Sequence, residues 1–196
     1  MILSNVEIHS ALDDGRLVID PEPQPRLPQV GVHCPYDTHS VDLTLGPELS
    51  VPVEDQPFAY DLSRGKNLAQ FLTSNSKKVT LEPGNPFQLE AGRFILGRTR
   101  EYVRLPIPES GPTCLSARIE GKSSRARLGL LVHFTAPTVH PGFEGTLTLE
   151  MINLGPAPIL LHVGVPIARL IVEQVPGLPN SNPSQFQGQS DPAGVP

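Results

Sequence analysis

Proline and glycine break this chain into short pieces. The 196 residues include 23 prolines and 17 glycines. Each proline fixes φ and removes a backbone donor, and glycine marks turns and bulges. Together with few aromatic residues and no tryptophan, this spacing predicts many short strands joined by turns, a mainly β domain. The length suffices for one domain with a real core, and no internal repeat or second domain is visible.

In chain order, Ser4 is a good N-cap for a helix over Asn5 to Asp14. Ile8 and Leu12 supply its apolar stripe and Gly15 its stop. A strand is expected at Leu17 to Asp20, a proline-rich loop over Pro21 to Pro35, and a clear strand at His39 to Leu45. The stretch from Glu54 to Ser76 is less regular, with a short helix expected around Asn67 to Leu72. Further strands are expected at Val79 to Leu81, Phe87 to Leu89, Phe94 to Arg98 and Tyr102 to Leu105, with a turn from Ile107 to Pro112. Leu128 to Phe134 reads as a buried strand, and Thr138 to Gly145 as a loop. Between Thr146 and Met151 the pattern alternates, with Thr146, Thr148 and Glu150 on one face and Leu147, Leu149 and Met151 on the other. Met151 to Asn153, Ile159 to His162 and Ile167 to Glu173 complete the sheet. The expected domain covers 1–175. Residues 176–196 are rich in proline, serine, asparagine and glutamine and read as a flexible tail.

The net charge of −5 argues against a general nucleic-acid binder. Yet eight of the 15 cations lie between Arg93 and Arg127, a local basic region suited to a small polyanion or to a strand surface with scattered arginines. No apolar run approaches the roughly 20 residues of a membrane helix, and Met1-Ile2-Leu3 leads into polar Ser4-Asn5 rather than a secretory signal. The expectation is a cytoplasmic protein without membrane contact. Cys34 and Cys114 are expected as free thiols. Neither belongs to a C-x-x-C, so the zinc deaminase signature is absent. His33, Cys34, Asp37, His39 and Asp42 form a loose group of potential ligands, but their spacing fits no standard metal site.

The segment from Leu115 to Glu150 concentrates the chemistry. Gly121, Lys122, Ser123 and Ser124 form a donor-rich turn, followed at once by Arg125 and Arg127. Hydroxyls and cations beside a strand carboxylate suit a phosphorylated ligand and proton transfer. By pattern alone Glu150 also fits a plain solvent-facing strand residue, and the cations a solvated turn. The Gly-Lys-Ser run is not a P-loop. The required upstream glycine is Ser116, and no long helix pattern follows.

Read from Lys122 to Glu150 without a gap, the segment closely resembles the dCTP deaminases of the trimeric dUTPase-like superfamily. The matching residues are Lys122, Ser123, Ser124, Arg127, Leu128-Gly129-Leu130, Thr135-Ala136, Pro141-Gly142-Phe143 and Glu150. MILSNVEI, GRLVIDP, SVDLTLG, FQLEAGRFILGRTREYVRLP and FQGQ extend the likeness almost from end to end. The resemblance implies a distorted β-barrel or jelly-roll domain with a short N-terminal helix, trimerising with sites between subunits. It implies zinc-independent conversion of dCTP and water to dUTP and ammonia, with Mg²⁺ carried in on the triphosphate. It makes Glu150 the general base, Ser123 and Arg127 the residues that position water and polarise the base, and the Ala136 carbonyl a guide for the attacking water. Lys122, Ser123 and Ser124 would meet phosphate, Phe143 would pack under the deoxyribose, and Gln189 would reach the triphosphate from a tail folded over it.

The chain also departs from that pattern. The resembled family usually has aspartate at His140, which contacts the sugar 3′-hydroxyl and serves pyrophosphate release in dUTPases and bifunctional members. Thr138 is often a larger or different residue there, and lysine and tyrosine usually stand at Gln185 and Phe186. A bifunctional deaminase and diphosphatase, or a catalytically weak nucleotide-binding regulator, are therefore the alternatives.

Overall fold

The computed structural model describes residues 1–54, 68–180, 182 and 186–194. It is a mainly β domain built on a ten-stranded sheet whose pairings are antiparallel. Helix α1 spans Asn5–Asp13; the Ser4 hydroxyl accepts from the Glu7 amide, and Ile8 and Ala11 are buried. The central strands are β3 (Ser40–Pro52), β6 (Phe94–Arg104), β7 (Thr113–Gly121), β10 (Glu144–Asn153) and β12 (Pro166–Pro176). With β8 (Leu130–Leu131) and β9 (Thr138–Val139), the path runs β8-β10-β6-β3-β12-β7-β9. Strands β1 (Val18–Asp20), β2 (Tyr36–Asp37) and β4 (Ser76–Thr80) add to this path, and β5 (Phe87–Leu89) pairs with β11 (Ile159–Leu161). The core is aliphatic, with Leu43, Leu45, Leu49, Ile95, Leu149, Met151 and Leu170 at most 1% exposed.

Several expected boundaries shift. The strands expected at Phe94 to Arg98 and Tyr102 to Leu105 are one continuous β6. A strand absent from the expectations above, β7, alternates buried Leu115, Ala117 and Ile119 with half-exposed Arg118 and Glu120. The expected strand over Leu128 to Phe134 shrinks to Leu130–Leu131. Gly129 explains this: its φ is +93°, and an added Cβ would lie 2.1 Å from the Gly155 nitrogen. That approach leaves Leu128 exposed rather than in the core. Helix α2 spans Leu68–Ser74, whereas Asn67, where the expected helix begins, lies outside the described residues. None of the described helices is long and apolar enough to cross a membrane.

Candidate active site

Strand β10 is the floor of the site. Its register against β6 shifts between Thr146 and Thr148, a bulge that changes how successive side chains are aimed. The Leu147 amide at the bulge donates to the Thr99 hydroxyl at 2.9 Å, so the break leaves no orphaned donor. Beyond it, Thr148 and Glu150 are half-buried on one face while Leu149 and Met151 are buried on the other. The alternation read from the sequence therefore holds at Glu150, which faces a cavity of about 510 Å³.

The cavity wall is completed by the loop between β8 and β10 and by the tail. At His140–Phe143 the Phe143 amide donates to the His140 carbonyl at 3.2 Å. Pro141 precedes Gly142, whose φ is +84°. Proline at the second position and a positive-φ glycine at the third are what a type II turn demands. The turn sets the Phe143 ring against the core while leaving it on the cavity wall. Ala136, Thr138 and His140 line the same wall. The Phe134 amide donates to Glu150 Oε2 at 3.1 Å, which leaves Oε1 without a partner among the described residues.

The tail approaches from the other side. Gln189 is buried; its side-chain amide donates to the Thr146 carbonyl at 2.8 Å, and its own carbonyl accepts from the Thr146 amide at 3.0 Å. Gln187 donates to the Gly142 carbonyl at 2.9 Å, and Asp191 pairs with Lys78 at 2.6 Å. Phe186 and Gln189 both line the cavity. Gln185 lies outside the described residues.

Six of the residues singled out from the sequence thus share one wall: Glu150, Ala136, Thr138, His140, Phe143 and Gln189. Lys122, Ser123, Ser124 and Arg127 do not line it. They occupy the one-turn helix α3 (Ser123–Ala126) and its flanks, where Ser123, Ser124 and Arg127 are exposed. Lys122 turns inward instead. Its ammonium pairs with Asp42, a β3 carboxylate that is 4% exposed. His33 Nε2 meets the same Oδ2 at 3.0 Å, and Arg169 Nε reaches Oδ1 at 3.3 Å. The loose ligand group around His33 and Asp42 is therefore built around cations. Among the described residues no three His, Cys, Asp or Glu side chains converge on a potential metal position.

Sequence reasoning missed His133, Leu72, Leu96, Ile119 and Thr148 on the cavity wall. His133 Nε2 lies 3.6 Å from Glu120, and its Nδ1 is buried without a partner among the described residues. The Val-His-Phe context at 132–134 reads as plain strand, so only the tertiary wall reveals it.

The family model described as dCTP deaminase-like matches residues 2–175. The chain belongs to the dCTP deaminase-like family. A curated relative named dCTP deaminase, from Thermomicrobium roseum, is 37% identical over 198 residues, covering 98% of this chain and 91% of its own. Another, named "dCTP deaminase, dUMP-forming", from Methanosphaera stadtmanae, is 34% identical over 199 residues and covers 97% and 91%. Among solved structures, the 2′-deoxycytidine 5′-triphosphate deaminase of Agrobacterium tumefaciens superposes with a TM-score of 0.60 at 21% identity. The match covers 89% of this chain and 48% of that one and shows a shared fold. Family membership therefore rests on nearly the whole chain rather than on the central segment alone.

Proposed function

We propose that this protein deaminates dCTP to dUTP and ammonia without a protein-held zinc, as a cytoplasmic homotrimer. The observation that carries the reading is Glu150: a strand carboxylate on the wall of a cavity, in a chain of the dCTP deaminase-like family. One oxygen is held by the Phe134 amide. The other takes a proton from water, and the resulting hydroxide adds to C4 of cytosine. Glu150 returns that proton to the departing amine, ammonia leaves as the C4–N bond breaks, and the remaining hydroxyl proton on C4 passes to N3 to give the uracil carbonyl. The Ala136 carbonyl orients the water, and Phe143 packs under the sugar. Mg²⁺ enters with the triphosphate; Glu150 is the one carboxylate among the described lining residues, so phosphates and water hold the ion.

The trimer accounts for the division of the site residues. Ser123 and Arg127 are exposed on α3, off the cavity of their own subunit, and serve the cavity of a neighbour. Exposed apolar side chains flank this end of the fold: Leu128, Leu154, and Phe94 packed 5.7 Å from Phe134. A second subunit covering them gains the usual apolar burial.

The dUMP-forming relatives favour a second reading, in which pyrophosphate is also released. His140 argues against it. Its side chain is exposed on the cavity wall, and an imidazole does not replace a carboxylate in activating water for phosphate hydrolysis.

One experiment tests the whole reading. Glu150→Gln alone should lose about 10²–10⁴-fold in turnover, and Arg127→Ala should be similarly impaired. Co-expressed in equal amounts, the two variants should regain about a quarter of wild-type activity, since random hybrid trimers restore one intact pairing in four. Products are resolved as uracil nucleotides, ammonia and pyrophosphate. No rescue on mixing defeats shared sites, near-normal Glu150→Gln turnover defeats the mechanism, and vigorous pyrophosphate release establishes the bifunctional reading.

A further inference from the structure

We propose that Gly155, in the loop after β10, is a positioning residue that aims Arg127 from outside α3. This rests on the deaminase reading, in which Arg127 serves a neighbour's cavity. The turn bearing Arg127 does not fix its own direction. α3 is a single turn with no buried side chain, and a helix this short draws its stability and orientation from tertiary contacts. Those contacts lie at its two flanks. At the entry, Lys122 is anchored on Asp42. At the exit, two residues past Arg127, Gly129 meets Gly155 backbone to backbone.

The exit contact has no spare room. The Gly129 carbonyl accepts from the Leu154 amide at 2.8 Å. A Cβ added to Gly155 would lie 2.1 Å from the carbonyl oxygen of Leu128, the residue after Arg127. The Leu128 and Gly129 amides in turn close α3, donating to the Arg125 and Ala126 carbonyls at 3.0 and 2.9 Å. The loop is held from behind by the fully buried Asn153. Asn153 Oδ1 accepts from the Gly155 amide at 2.9 Å. Its side-chain nitrogen donates to the Leu89 and Ala157 carbonyls at 3.0 and 2.9 Å. A methyl group at 155 therefore pushes on the peptide where Arg127 leaves the turn. Gly155 lies outside the left-handed region, so alanine meets no backbone strain of its own there. Glu150 is fixed by different contacts, opposite Leu96 in the sheet and by the Phe134 amide. The two halves of the proposed catalytic pair thus answer to different supports.

The test is complementation between variants, because a shared site separates its two halves onto different subunits. Gly155→Ala alone should lose about a hundredfold in dCTP turnover, the cost of a misplacement near 1 Å. Co-expressed in equal amounts with Glu150→Gln, it should regain about a quarter of wild-type activity, since its own cavity is intact and the partner supplies a sound α3. Co-expressed with Arg127→Ala it should regain nothing, because every α3 is then defective. Rescue by Arg127→Ala instead of Glu150→Gln, or near-normal turnover of Gly155→Ala alone, would overturn the assignment. So would rescue by neither when the control pair of Glu150→Gln and Arg127→Ala does recover. Where Gly155→Ala fails to enter hybrid oligomers, Asn153→Ser takes its place. It loosens the hold on the Gly155 amide without adding bulk, and the same pattern of rescue is expected. Hydrogen exchange gives a readout independent of turnover. In Gly155→Ala the Leu128 and Gly129 amides should exchange faster while those of Thr146 and Gly188 keep their rates; unchanged rates at Leu128 and Gly129 overturn the assignment. Wild type that turns over no dCTP refutes the deaminase reading, and a control pair without rescue refutes the shared site. In either case the exchange rates still decide whether Gly155 holds α3.

Discussion

Replacing Asp42 with asparagine keeps the shape of the side chain and removes its charge, and the structure allows the cost to be sized. Asp42 ties three strands together. In the sheet it stands opposite Arg169 of β12, which stands opposite Glu120 of β7. Lys122, two residues past Glu120, reaches back to the same carboxylate. Lys122 and Asp42 are 11% and 5% exposed at their side chains, so solvent does little to screen the pair. Breaking a buried pair by removing one partner costs about 3–5 kcal/mol, because the remaining charge is stranded. Arg169 keeps Asp37 at 3.1 Å, so the stranded charge is mainly the Lys122 ammonium, and the lower figure of about 3 kcal/mol applies. For a domain of this size that lowers the melting temperature by about 6–12 °C. The assay is thermal and urea unfolding of wild type, Asp42→Asn, Lys122→Met and the double variant at one protein concentration. The double variant should recover much of the loss, because the charge stranded by Asp42→Asn is then gone. Strictly additive effects would refute the pairing as the source of the cost, and so would a melting temperature for Asp42→Asn equal to that of wild type.

Two further outcomes test other parts of the fold. Gly145 has φ +142°, and an added Cβ would lie 2.9 Å from the Gln189 carbonyl oxygen; Gly145→Ala should lift the tail from β10 at a cost of about 1–3 kcal/mol. Hydrogen exchange at the Thr146 and Gly188 amides, which donate to Gln189 and Glu144, should then accelerate, and unchanged protection would contradict the docking. Glu101 is buried, and burial raises its pKa above the ordinary 4.5 despite hydrogen bonds from Thr44. The fold therefore favours its protonated form: the associated stability is present below the unfolded value and is lost as pH rises through the folded one. Glu101→Gln should remove that decline, so the gap between variant and wild type should widen above pH 4.5 in urea titrations; parallel pH profiles would sink the idea.

What was legible in the sequence is what short-range chemistry determines. The Ser4 cap, the alternation that turns Glu150 away from Leu149 and Met151, and the Pro141-Gly142 turn each depend on residues within about four positions of one another. The linear order from Lys122 to Glu150 was enough to point to the family, because the motif residues lie close together along the chain. The shortening of the strand expected at Leu128 to Phe134 was not legible, since Gly129 is forced open by Gly155, across the sheet. Nor was the fate of Lys122. As a letter it is an exposed cation beside two serines; in the fold, a carboxylate 80 positions away takes it. The docking of Gln189 on Thr146, 43 positions back, is of the same kind. A polar side chain has several potential partners of comparable chemistry, and only the tertiary approach of strands decides which one it meets and whether water is excluded from the pair.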